Sequence, residues 1–532
     1  MRPKFLNGSQ AAELIKDGNT VLTVGMTLVG ASESVLKPLE ERFLKTGHPR
    51  DLTLFHAAGQ SDRDRGIQHF AHVGMTKRII GSHWGLAPKW MELISRNQVE
   101  AYCMPQGQVT HLLRDMGSGL KGHLSKVGLG TFIDPRIEGG KMNARTRELP
   151  DLIDVVQFQG EEYLFYHQVP IDVCLIRGTT ADENGNITFE DEAMKLEVLP
   201  AVLASKRFGG IVIVQVKRVA AKGTLHPKQV GIPGVFVDVV VVSDNPEADH
   251  RQTSSFYFDP AYSGDIRVPL DTIEPTPLSA RKIIARRAAM ELKRNAIINL
   301  GTGIPNDEIG GVIVEEGLSD DILITVESGV YGGVPLGGVD FGIAKNMEAL
   351  IEHTSQFDFY NGTGVDFTFM GVGQVDRHGN VNSTKFSGRS TGAGGFIDIT
   401  QFAKNVIFCT TFTVRGLKVD VSDQRLMICN EGSEKKFVNE VEQISFNGRL
   451  ALERGQHVLV VTERAVFKLT DEGWELVEIA PGVDLNKDIL GQMDFTPKIA
   501  EDLKQTHPSV YLPTAFGLRD FIEKGNHYAL TR

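Results

Sequence analysis

Val21-Leu22-Thr23-Val24-Gly25 and Ala296-Ile297-Ile298-Asn299-Leu300-Gly301 are apolar strands, each closed by a glycine and preceded by a helix signal. Ahead of the first lies Ser9-Gln10-Ala11-Ala12-Glu13-Leu14-Ile15-Lys16-Asp17-Gly18, in which Ser9 can cap a helix and Gly18 can end it. Ahead of the second, Ser279 can cap a helix with apolar residues at Ala280, Ile284, Ala288 and Leu292. The next strands, Asp51-Leu52-Thr53-Leu54 and Asp321-Ile322-Leu323-Ile324, begin 26 and 20 residues beyond the two glycines. A third pair, Asp182-Glu183-Asn184-Gly185-Asn186-Ile187 and Asp376-Arg377-His378-Gly379-Asn380-Val381, reads as hairpin turns after apolar strands. Gly130-Thr131-Phe132-Ile133-Asp134 also resembles Gly394-Gly395-Phe396-Ile397-Asp398, although one precedes its turn and the other follows it. The chain thus reads as an internal duplication of domain size.

Val- and Ile-rich strands such as Gly210-Ile211-Val212-Ile213-Val214-Gln215-Val216 alternate with helical stretches, so the expected fold is α/β. It comprises two related domains with mainly parallel sheets and an active site in the cleft between them. A stretch rich in proline, with Pro246, Pro260, Pro269, Pro275 and Pro277, reads as a linker. The predicted division is residues 1–245, a linker at 246–278, and residues 279–532.

The 532 residues exceed what one hydrophobic core usually serves, and 41% hydrophobic with 23% charged residues is the balance of a globular protein. A formal net charge of −11 argues against a nucleic-acid surface. The most basic stretch, Arg281-Lys282-Ile283-Ile284-Ala285-Arg286-Arg287, reads as a solvated helix face. Cys103, Cys174, Cys409 and Cys429 are far apart and read as buried free thiols, and the histidines, His56 and His83 among them, show no metal-ligand spacing. No metal and no membrane span are expected. The chain begins without an apolar signal core, so a cytoplasmic location is predicted.

The chemistry is expected where the two copies differ. Pairing Phe55-His56-Ala57-Ala58-Gly59 with Thr325-Val326-Glu327-Ser328-Gly329 puts Ala57 opposite Glu327. A glutamate after the apolar strand Ile322–Val326 would be rigidly held and partly desolvated. Gly329, Gly332, Gly333, Gly337 and Gly338 follow it, and such a run lets backbone approach a ligand closely. The plain alternative is that Glu327 only caps or pairs and the glycines only turn. Gly301-x-Gly303 lacks the third glycine of a dinucleotide fingerprint, which argues against a nicotinamide site.

The stretch from Glu327 to Gly338 resembles the active-site segment of the family I coenzyme A transferases: a strand, then Glu, one residue, Gly and further glycines. Asn299-Leu300-Gly301-Thr302-Gly303-Ile304-Pro305 is similar to that family's CoA-binding loop. Gly392-Ala393-Gly394-Gly395-Phe396-Ile397-Asp398 is similar to its glycine motif near the reacting carbonyl. Met104-Pro105-Gln106-Gly107 resembles its substrate-side motif and Gly25-Met26-Thr27-Leu28-Val29-Gly30 its first glycine loop, and Thr462–Phe467 and Ile479–Val483 match as well. The resemblance covers essentially the whole chain and comes closest to the acetate and propionate CoA-transferases. One departure lies at Val330-Tyr331, where relatives carry smaller or aliphatic residues, and it bears on the size of the acyl pocket.

The resemblance implies that Glu327 is a covalent nucleophile that moves CoA between a short-chain acyl-CoA and a free carboxylic acid through a glutamyl-CoA thioester. It implies Gly394 and Gly395 at the reacting carbonyl. Gly301, Gly303, Gly329, Gly332 and Gly333 would contact CoA, and Gln106 and Gly25 the acid. The first domain would serve the acid and the second CoA. No cofactor beyond CoA as substrate is implied, and a homo-oligomer is expected. Competing readings are an acyl-CoA hydrolase and a non-catalytic sensor of CoA metabolites.

Overall fold

Val173–Arg177, Ile211–Val216 and Val239–Val242 are built almost wholly of β-branched and other apolar residues, which suits strands covered on both faces. A computed structural model places them in the middle of a sheet; it describes residues 2–269, 275–525 and 528–531. The first sheet consists of β1 (Lys4–Leu6), β2 (Thr20–Thr23), β3 (Leu52–His56), β4 (Thr76–Gly81), β5 (Glu100–Cys103), β6 (Val173–Arg177), β7 (Ile211–Val216) and β8 (Val239–Val242). Their order is β1-β8-β7-β6-β2-β3-β4-β5, parallel throughout.

The second sheet consists of β9 (Ala296–Leu300), β10 (Ile322–Val326), β11 (Val330–Tyr331), β12 (Ala349–Leu350), β13 (Phe367–Gly371), β14 (Asn405–Cys409), β15 (His457–Val461), β16 (Ala465–Thr470), β17 (Gly473–Ile479) and β18 (Lys498–Gln505). Their order is β12-β11-β10-β9-β13-β14-β15-β16-β17-β18. The central run β10-β9-β13-β14-β15 is parallel and repeats the order β3-β2-β6-β7-β8 of the first sheet. The fold is therefore α/β with two related domains. The repeat reaches single hydrogen bonds: the Asp182 and Asp376 carboxylates each accept two turn amides at 2.9 Å, from Asn184 and Asn186 and from His378 and Asn380.

Several details differ from the sequence reading. The first helix is only Gly8–Ala12, capped by Asn7 rather than Ser9 through a reciprocal box with Gln10, and it stops well before Gly18. Ser279 does cap its helix, Ala280–Ala289, by accepting from the Lys282 amide. Of the four basic residues of that stretch only Arg281 is partly exposed, whereas Lys282, Arg286 and Arg287 are all buried. Arg287 pairs with Glu478 and Glu291, while Arg286 donates to the carbonyls of Val510, Leu512 and Thr514. Of the cysteines, Cys429 is exposed and the other three are buried. Within the stretch read as linker, His250, Gln252 and Thr253 are buried against the first domain, and Gln215 of β7 donates to the Asp249 carbonyl; residues 270–274 lie outside the described residues.

Helices α1 (Gln106–Gly117) and α2 (Val198–Arg207) of the first domain meet α3 (His353–Gly362) and α4 (Phe396–Phe402) of the second. One apolar cluster runs from Val21, Leu54 and Ile79 through Phe357 and Phe396 to Val406 and Val460, so it belongs to both domains. A second, around Ile283, Ile298 and Leu459, lies within the second domain.

Candidate active site

In parallel sheets ligands gather beyond the carboxyl ends of strands. There Glu327 follows β10, the Gly301-Thr302-Gly303 loop follows β9, and His83 follows β4. All of them line one cavity of about 370 Å³ between the domains, together with Gln106, Met26, Leu86, Phe341, Met370 and residues 392–396. That volume suits the reacting end of a small ligand.

Glu327 is only 9% exposed, and among the described residues no cation is bonded to its carboxylate. Its Oε1 accepts from Gln106 Nε2 at 3.2 Å, across the domain boundary, and Oε2 lies against Gly395, where a Cβ would sit 3.1 Å away. Burial pushes this carboxyl above its ordinary value, with the Gln106 hydrogen bond pulling the other way. A desolvated, weakly paired carboxylate facing a cavity is arranged for chemistry rather than for a salt bridge.

The glycines divide into two groups. Gly301, Gly303, Gly394 and Gly395 line the cavity. Gly329, Gly332 and Gly333 do not: each has a positive φ, and added Cβ atoms would strike the Ile351 carbonyl, the Glu348 side chain and the Lys345 carbonyl. Gly329 makes the β10–β11 turn, and Gly332 and Gly333 follow β11, where the chain returning at Lys345–Glu348 leaves no room for a Cβ. Gly25 is likewise packed against Gln60, leaving its neighbours Met26 and Thr27 to line the cavity. The Gly394 amide donates to the Ser82 carbonyl at 2.9 Å, so of the pair expected at the reacting carbonyl only Gly395 keeps its amide available. Tyr331 rests against Phe359, and neither it nor Val330 reaches the cavity.

Gln106 opens α1, whose first turn is held from the other domain. The Gly107 amide and the Gln108 side chain both donate to Asp398, at 3.1 and 2.7 Å. Burial lifts the Asp398 carboxyl to about 7, with the Gln108 and Gly107 hydrogen bonds pulling the other way. His83, which the sequence marks only by its lack of metal-ligand spacing, lines the cavity with its pKa lowered to about 4 by burial, and is therefore neutral. Its position just past a strand end was the available signal. His56 is a satisfied core histidine between the Ala58 carbonyl and the Trp84 indole. Among the described residues no three His, Cys, Asp or Glu side chains cluster as metal ligands, and no helix is long and apolar enough to cross a membrane.

Residues 7–243 match the family model for coenzyme A transferase. Over 98% of its length the chain is 45% identical to the whole of the caffeate CoA-transferase of Acetobacterium woodii. It belongs to the coenzyme A transferase family. This CoA-transferase is also 43% identical to the acetate CoA-transferase YdiF of Escherichia coli K12, across 97% of this chain and 96% of that one. Crystal structures of the acyl-CoA transferase YdiF of Escherichia coli O157:H7, as apoenzyme and as a thioester complex with CoA, give TM-scores of 0.91 and 0.90. They are 42% and 41% identical to this CoA-transferase, with 97% of both chains covered in each case.

Proposed function

We propose that the chain moves CoA from a short-chain acyl-CoA to a free carboxylic acid through a thioester on Glu327. The observation that carries this reading is the buried Glu327 carboxylate, held on one oxygen by Gln106 and facing the cavity beside Gly395 with the other. The acetate and caffeate relatives and the thioester complex of YdiF agree with it.

In the proposed sequence Oε2 attacks the acyl-CoA carbonyl, the C–S bond breaks, and CoA leaves as thiolate from a mixed anhydride. The thiolate then attacks the Glu327 carbonyl carbon, forming the glutamyl thioester and releasing the first acid as carboxylate. The second acid attacks that thioester and the steps run in reverse. The Gly395 amide is the candidate donor to the oxyanion, and the Gln106 amide meets the acid once Glu327 has lost its charge. No ATP is needed, since one thioester replaces another.

The test is exposure of the enzyme to acyl-CoA without acceptor acid. A CoA adduct should accumulate and map to Glu327, and two-substrate kinetics should give parallel double-reciprocal lines. Continuous release of CoA would mean a hydrolase, and binding without an adduct a sensor.

The pH dependence follows from the direction of the shift. Only the ionised carboxylate attacks, and its pKa is raised, so kcat/KM for acyl-CoA should fall on acidification through a limb above the ordinary 4.5. A limb at or below that value would contradict a desolvated nucleophile.

A further inference from the structure

Glu197, at the start of α2, and His353, at the start of α3, are both fully buried, one from each domain. Glu197 Oε2 lies 2.5 Å from His353 Nδ1, while its other oxygen, Oε1, has no hydrogen-bond partner among the described residues. The His353 amide also donates to the Leu196 carbonyl at 3.2 Å. A buried carboxylate whose one partner is an imidazole is a poor stabilising device, because desolvating it costs more than a single hydrogen bond returns.

The other side of the ring explains the arrangement. His353 Nε2 is 2.9 Å from Gln106 Nε2, the same amide nitrogen that bonds Glu327 Oε1. A carboxylate only accepts, so the Gln106 amide must turn its NH₂ group toward Glu327. The second proton of that NH₂ then points at His353 Nε2, which has to be an acceptor and carries no proton. The ring proton therefore sits on Nδ1 and is donated to Glu197.

We infer that Glu197 and His353 are positioning residues for the transfer reaction: Glu197 fixes the His353 tautomer, and that tautomer fixes which way round the Gln106 amide faces Glu327. With the opposite tautomer, Nε2–H would confront the NH₂ group, and the amide would flip its oxygen toward the nucleophile. The buried carboxylate thus sets, through two side chains, which Glu327 oxygen is held and which is free to attack. This rests on Glu327 as nucleophile.

The test is a double-mutant cycle on kcat, run with unfolding midpoints for every variant. His353→Phe keeps the ring volume without the acceptor, and should lower kcat roughly 10- to 100-fold with the KM for acyl-CoA little changed. In a Gln106→Ala background the same change should be silent to within about twofold, because His353 acts only through Gln106. His353→Gln, which returns an acceptor near the Nε2 position, should recover most of kcat. Glu197→Ala should repeat the His353→Phe pattern in both backgrounds. Additive losses, or losses that follow only a falling midpoint, would overturn the inference. The adduct on wild-type Glu327 checks the underlying reading separately: without it the mechanism fails, whatever the cycle gives.

Discussion

Glu327→Ala is expected to lose transfer activity by roughly three orders of magnitude or more, since Asp307, the other carboxylate lining the cavity, is paired with Arg281 and the residue equivalent to Glu327 in the first domain is Ala57. The companion Glu327→Gln separates catalysis from stability. Burial raises this carboxyl, so the folded protein prefers the protonated form and carries a penalty for the ionised one at neutral pH. Glutamine removes the charge and can still accept from Gln106, so the unfolding midpoint at pH 7 should stay level or rise while activity is lost. A fall in midpoint with activity retained would make Glu327 a structural residue.

Arg287→Met should give the largest loss of stability. Arg287 is 1% exposed and holds Glu478 at 2.9 Å and Glu291 at 2.7 Å, both buried as deeply. Glu291 in turn accepts the amides of Leu530 and Thr531. Removing the guanidinium leaves two carboxylates uncompensated, a change on the order of 3–5 kcal/mol. Arg281→Ala, on the same helix but with its side chain 44% exposed, should stay within about 0.5 kcal/mol. Midpoints from denaturant unfolding decide between them; equal losses would refute the buried network.

That contrast marks where the sequence was readable. Arg281 and Arg287 belong to one basic stretch, and locally only Glu291, four residues beyond Arg287, sets them apart. What buries Arg287 is Glu478, which lies 191 residues away. The repeated strand-and-glycine units, the paired Asp182 and Asp376 turns and the strand-end place of Glu327 were legible because each is written in neighbouring residues. The glycines were only half legible: Gly395 is small because the Glu327 carboxylate and the Phe357 ring abut it, Gly333 because its φ is positive and the Lys345 carbonyl lies against it, and the letter is the same. Glu197 and His353 gave no signal at all, since their meaning comes from two helix starts brought together across the domains.

The apolar cluster common to both domains has a consequence for the chain between them. Halves that share an interior behave like an obligate heterodimer, whose partners do not survive apart. Once they have met, the peptide joining them is mechanically redundant, and a cut within residues 264–269 should leave one particle with its site intact. The tether's remaining service is kinetic: it holds each half near the other at an effective concentration of order millimolar while the common core assembles.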